Sequence, residues 1–86
     1  MAVFQFLFTR GDEERFVEAH VSEEVLADYE CVAVEDGRLV VYYDVFTGEY
    51  ETTSDYVVHP VVEEHSVDVA DVSDLISQEF AFEYFE

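Results

Sequence analysis

The sequence predicts a small α+β domain: a mainly antiparallel sheet of about four to six strands with one or two short helices. Three observations carry that expectation. Apolar and polar residues alternate along much of the chain at the period of a strand. Turn residues at Gly11, Asp36-Gly37 and Thr47-Gly48 punctuate those runs. Only two short segments, after Ser22 and after Asp71, keep helical spacing. A chain of 86 residues accommodates one domain, taken here as 1–86.

The elements read in order as follows. Val3 to Thr9 alternates, with Phe4, Phe6 and Phe8 on one face. Gly11-Asp12-Glu13-Glu14 is a polar turn, and Arg15 to Val21 returns with Val17, Ala19 and Val21 on one face, so the first 21 residues predict a β-hairpin. Ser22 can cap a helix over Ser22 to Glu30, because Glu23 and Glu24 suit its positive end. Val25, Leu26 and Tyr29 would be its apolar face. Cys31 to Glu35 and Arg38 to Phe46 flank Asp36-Gly37, the strongest short hairpin signal. Thr47-Gly48 marks a further turn, after which Glu49 to Thr53 returns as the third strand of a meander. Tyr56 to His59 is a short strand candidate ended by Pro60. Val61 to Val69 is extended by composition but interrupted by Glu63, Glu64, His65 and Asp68. Asp71 can cap a helix running to about Glu79, with Val72, Leu75 and Ile76 inward. The final FAFEYFE alternates, and Phe80, Phe82 and Tyr84 on one face favour a strand over an extension of the helix.

Charge dominates the composition. The chain holds 22 Asp plus Glu against three Arg, has no Lys, and carries a formal net charge of −19. Half of its residues are hydrophobic, which excludes a disordered acidic tail and predicts a core under an acidic skin. Like charges destabilise such a compact state. Base composition does not explain the missing Lys. Asn is absent too and Ile76 is the only Ile, yet Phe and Tyr, which also use AT-rich codons, number eight and six. The sequence points to selection against positive charge. Such a surface repels nucleic acid and anionic membrane and attracts cations and basic surfaces.

Other function classes find little support. Gly11, Gly37 and Gly48 all read as turns, leaving no Gly-rich phosphate loop, and no nucleophile elbow is present. Ser22, Ser54, Ser66, Ser73 and Ser77 read as caps or loop residues, so no catalytic residue is expected. His59, Glu63, Glu64, His65 and Asp68 are metal-ligand types within ten residues, but Pro60 splits them and no zinc or EF-hand spacing appears. No metal or other cofactor is expected. Cys31 is the only cysteine and reads as a packed small hydrophobe. No stretch approaches a membrane span, MAVFQFLFTR lacks the basic region of a signal peptide, and a cytoplasmic location is expected.

The acidic residues form sets with regular spacing. Glu63, Glu64, Asp68, Asp71, Asp74 and Glu79 are the densest late run. Asp71 and Asp74 are expected as neighbours on one helix face, about 5–6 Å apart. Glu49 and Glu51 are two apart on a strand, about 6.6 Å, close to two phosphate steps of about 3.4 Å on a DNA strand. In size, single-domain form and bulk charge, the chain resembles phage-encoded DNA-mimic proteins. These include inhibitors of restriction enzymes, of CRISPR effectors and of DNA glycosylases. The resemblance implies a non-enzymatic inhibitor that occupies the positively charged nucleic-acid-binding surface of a host defence nuclease or effector complex. Contacts are expected on Glu63, Glu64, Asp68, Asp71 and Asp74, with Glu49 and Glu51 next.

Two other readings share the charge. Proteins of extreme halophiles are also acidic and Lys-poor, although here Glu outnumbers Asp, 14 to eight, and large aromatics are abundant. An acidic antitoxin-like partner of a basic protein is the third. Phe4, Phe6, Phe8, Phe80, Phe82 and Tyr84 are expected in the core; an exposed stripe among them would make a sheet-mediated homodimer the alternative partner. Tyr42, Tyr43, Tyr50 and Tyr56 are interface candidates, since Tyr supplies contact area at small entropic cost.

Overall fold

The computed structural model describes the backbone of residues 2–85 and the side chains of residues 2–83. The α+β expectation holds, with six strands arranged as two antiparallel sheets of three. β1 (Ala2–Arg10) and β2 (Glu13–Val21) form the predicted hairpin, paired from Ala2↔Val21 to Arg10↔Glu13. Gly11 takes the left-handed φ of 57° that the tight reversal requires. The final strand, β6 (Ala81–Phe85), lies antiparallel on the other side of β1, giving the order β2-β1-β6. The strand reading of the C-terminal segment is therefore correct, while the Tyr84 side chain lies outside the described residues.

The second sheet is a meander of β3 (Tyr29–Glu35), β4 (Arg38–Thr52) and β5 (Val58–Asp71). Asp36-Gly37 turns β3 into β4 as predicted, both residues with positive φ. Gly37 is also a close approach: its carbonyl accepts from Val72 N–H at 2.8 Å, and a Cβ there would meet Ser73 Cβ at 2.9 Å.

The third strand of the meander differs from the sequence reading. Thr47-Gly48 is not a turn but a bulge inside β4, where the register shifts between Phe46 and Tyr50. Gly48 supplies a φ of 89°. The Thr47 hydroxyl donates to the Val61 carbonyl at 2.9 Å and accepts from Glu49 N–H, which ties the bulge to β5 and keeps β4 running. Glu49 to Thr53 thus continues β4. The chain reverses at Thr53–Val57, closed by Tyr56 N–H to Thr53 O and Thr53 N–H to Val57 O. β5 then joins Val58 and His59, the second half of the Tyr56–His59 candidate, to the 61–69 segment in one strand, while Tyr56, at φ 61°, and Val57 belong to the reversal. Pro60 does not end it, because β5 is an edge strand with a side that needs no donor.

Both helices are shorter than predicted. α1 (Glu23–Asp28) is capped by Ser22, whose side chain accepts from Val25 N–H. It stops before Tyr29, which turns extended to pair with Tyr43 while its ring packs edge-on against Phe4 at 5.6 Å. α2 (Ser73–Ser77) begins after Asp71, which is the last residue of β5 and not a helical neighbour of Asp74. The Asp71 carboxylate instead accepts from Ser73 N–H at 2.9 Å and from the Ser73 hydroxyl at 2.7 Å. Glu79, at φ 67°, turns the chain so that Phe80 enters the core. One helical turn does not bury Ile76, which stays 38% exposed.

One apolar cluster lies between the sheets: Phe4, Phe6, Phe8, Ala19 and Val21 from the first hairpin, Leu39 and Val41 from β4, with Val25, Val72 and Phe80 closing its margins. Phe6, Phe8, Leu39 and Val41 are fully buried, and each contributes about 1.5–3 kcal/mol by leaving water. β3 pairs with β4 only as far as Tyr43. Residues 44–64 therefore extend past the core as a two-stranded arm, and the 15 residues of β4 span about 50 Å, matching the molecule's long dimension of 52 Å.

Phe6→Ala is expected to lower the unfolding free energy by about 3–5 kcal/mol, read from urea denaturation. Phe16→Ala, at a side chain 59% exposed, should cost less than about 1 kcal/mol. Equal costs would contradict the placement of the core.

Candidate interaction surface

Strand alternation decides which carboxylates share a face. On β4, Leu39 and Val41 enter the core and Tyr43 packs against it, so Val40, Tyr42 and Asp44 turn to the opposite, outer side. The register carries that sorting to the neighbours. Glu35 lies opposite Arg38 and Cys31 opposite Tyr42 on β3. Asp68 lies opposite Val40, Ser66 opposite Tyr42 and Glu64 opposite Asp44 on β5. The outer face consequently gathers Glu35, Asp44, Glu64 and Asp68, and Glu30 joins them where the β3 ladder slips between Tyr29 and Cys31.

At the centre, one carboxylate oxygen each from Glu30, Asp44 and Glu64 lies within 4.8 Å of the others. Hydrogen bonding to Asp44, then to Glu64, favours the protonated Glu30 carboxyl, and the charge of Asp44 adds to this, so its pKa lies above the ordinary value of 4.5. Three hard oxygen donors of this type suit a hard cation or a cationic side chain. Beside them the Tyr42 hydroxyl donates to both oxygens of Glu35 at 2.5 Å, which raises the Tyr42 pKa and fixes both groups on the face.

The arginines are engaged within the chain. Arg38 pairs with Asp68 at 2.9 Å and reaches Asp71 at 3.9 Å. Arg10 and Arg15 both meet Glu13, and both lie over the Phe80 ring, at 4.6 and 5.3 Å from its centre. Arg10 holds the Glu13 carboxyl below its usual pKa, and the Ser73 hydrogen bonds do the same for Asp71.

The predicted contact residues separate on this geometry. Glu64 and Asp68 stand on the outer face, and Asp71 ends the same strand beside Arg38. Glu63 lies opposite Val45 and Glu51 opposite His59, both on the other face of the arm. Glu49 sits in the bulge and Asp74 on α2. Sequence reasoning did not group Glu30, Glu35 and Asp44 with Glu64. The signal that joins them is the pairing register, which requires the strand order. Cys31 is exposed on the outer face, not packed, because its partner Tyr42 turns away from the core. Tyr43 supports the core and touches His65, with ring centres 5.8 Å apart, whereas Tyr50 and Tyr56 are 66% and 88% exposed.

Past Asp44 and Glu64 the same face becomes apolar. Phe46 lies opposite Val62 and Tyr50 opposite Pro60, and the Phe46 and Tyr50 rings are 5.3 Å apart. No family model, curated protein or solved structure matches the chain. Among the described residues, no helix is long and apolar enough to cross a membrane.

A carboxyl whose pKa rises on folding favours the folded state below its unfolded value, and that contribution is lost as pH climbs through the folded value. The Glu30 cluster should therefore stabilise the protein as pH falls from neutrality towards the ordinary Glu30 value of 4.5. Glu13 and Asp71, with lowered values, oppose it at still lower pH. The difference between wild type and Glu30→Gln isolates the cluster. Thermal melts should show a smaller gain on acidification for Glu30→Gln; identical profiles would contradict the assignment.

Proposed function

We propose that this chain is a non-enzymatic inhibitor that occupies the positively charged nucleic-acid-binding surface of a target protein. The class of target is a host defence nuclease or effector complex, and the setting is phage or mobile-element counter-defence in the host cytoplasm. The observation that carries the reading is the outer face of the second sheet. Glu30, Glu35, Asp44, Glu64 and Asp68 share it, and Arg38 is the one arginine on it among the described residues. Lys and Arg are absent from residue 39 onward.

The mechanism is competition. Residues two apart on one strand repeat at about 6.6 Å, and neighbouring strands lie about 4.7–4.9 Å apart. An array of carboxylates at those intervals can offer Lys and Arg side chains the bidentate, charge-assisted bonds that phosphates offer. Bulk charge steers the encounter, so association should be fast and strongly salt-dependent. Glu64 and Asp68 remain at the centre of the contact, Asp71 lies beside them, and Glu30, Glu35 and Asp44 are added. Glu63, Asp74, Glu49 and Glu51 contribute to the long-range field.

Release of labelled duplex DNA from a panel of restriction endonucleases and CRISPR effector nucleases tests this reading. At least one member should release DNA at about 0.1 M KCl, and its affinity for the chain, measured without DNA, should fall steeply between about 0.1 and 0.5 M. The double variant Asp44→Lys, Glu64→Lys should weaken release by about tenfold or more. Glu14→Lys, Glu18→Lys, on the first sheet, should weaken it less than about threefold. Failure across the panel, or equal losses from both pairs, would contradict the proposal.

A further inference from the structure

The arm formed by residues 44–64 carries a feature that charge alone does not use. It is a two-stranded ribbon beyond the reach of β3, and a hairpin without a third strand or a second layer is marginal in water. Its outer face nonetheless exposes Phe46 at 48%, Tyr50 at 66%, Val58 at 60% and Val62 at 48%. These residues are contiguous: the Phe46 and Tyr50 rings touch, and Val62 and Pro60 lie across from them. A solitary exposed apolar residue means nothing, but a contiguous patch on a projecting ribbon marks a contact surface.

The charges around the patch select its occupant. Asp44 and Glu64 border its inner end, and Glu49 lies in the bulge between Phe46 and Tyr50. A second copy of this chain would bring those carboxylates against their own equivalents, with no Lys or Arg beyond Arg38 to offset them. An anionic membrane meets the same repulsion. Along β4 the edge left open past Tyr43 is broken by the bulge and flanked by acids, which also blocks edge-to-edge pairing with itself. An arginine-bearing protein surface has the opposite preferences. Guanidinium groups stack on Phe and Tyr faces and pair with neighbouring carboxylates.

We infer that the Phe46–Tyr50–Val62 patch docks on a partner protein surface in which arginines alternate with apolar residues, and that it supplies a salt-resistant part of the binding. This rests on the proposed function and deepens it: the outer carboxylates meet the cations of the target, while the arm covers apolar surface between them. A duplex mimic made of charge alone would lose its whole affinity in salt; one with this arm retains a fraction.

Two synthetic peptides of equal charge serve as probes, eight Arg alternating with Val and eight Arg alternating with Gly. Wild-type protein should bind the Arg–Val peptide at least about tenfold more tightly at 0.5 M KCl, with slowed amide exchange in residues 46–62. Phe46→Ser, Tyr50→Ser should abolish the difference between the peptides, while Asp44→Asn, Glu64→Gln should weaken both alike. Equal binding of the two peptides to wild type would overturn the inference and leave the electrostatic reading standing. No binding of either peptide, even at 0.05 M KCl, would overturn both. A wild-type dimer in sedimentation that Tyr50→Ser dissociates would also overturn the inference, by making a second copy the occupant. The wild-type comparison decides the matter even if the variants unfold.

Discussion

Everything in this molecule depends on the seam between its two sheets. Phe6 and Phe8 from one sheet and Leu39 and Val41 from the other are fully buried in one cluster. Little else opposes the repulsion of a net −19. The ion pairs of Arg10, Arg15 and Arg38 are all exposed, and exposed pairs contribute about 0–1 kcal/mol each. Among the described residues no polar side chain is buried, so no internal polar network adds specificity. Apolar burial, aromatic and aliphatic together, holds a surface that would otherwise drive itself apart. Arg10 and Arg15 fit that logic, because both cover the Phe80 ring as well as meeting Glu13.

The same alternation that builds the seam produces the acidic face. Each residue of β4 that enters the core sends its neighbour outward, so Val41 and Tyr43 imply Tyr42 and Asp44 on the far side. The register then brings Glu64 to Asp44 and Glu30 to both. Such a cluster is electrostatically unfavourable on its own, as the raised Glu30 pKa registers. On the proposed reading, a cationic partner would relieve that repulsion. Beyond Tyr29, where β3 begins, the face changes character from acidic to aromatic, and both halves belong to β4 and β5.

Much of the fold was legible in the sequence, and the gaps have local causes. Gly11 and Asp36-Gly37 announced their turns because the flanking alternation on both sides is consistent with a hairpin. Thr47-Gly48 carries the same kind of signal but forms a bulge, since the deciding bond runs from Thr47 to Val61, fourteen residues away. That error hid β5, whose charged residues interrupt its pattern because only part of it covers a core. Helix lengths were overestimated where a tertiary contact won: Tyr29 left α1 to pack on Phe4. The acidic content was plain, but its grouping was not. Adjacent residues such as Glu63 and Glu64 fall on opposite faces, and distant ones such as Glu30 and Glu64 meet only through the register of three strands.

Apolar burial is sufficient to fold this chain without molar salt, which leaves the charge free for a partner. An acidic skin adapted to molar salt would have the opposite dependence, since repulsion screened over about 8–10 Å at physiological strength would then be tolerated only at far higher salt. Thermal unfolding followed by circular dichroism in about 0.05 M and about 2 M KCl separates the two. A cooperative melt already present at the lower concentration is the predicted result. A chain that acquires its strand signal and its transition only in molar salt would contradict the account, and its charge would then describe its solvent.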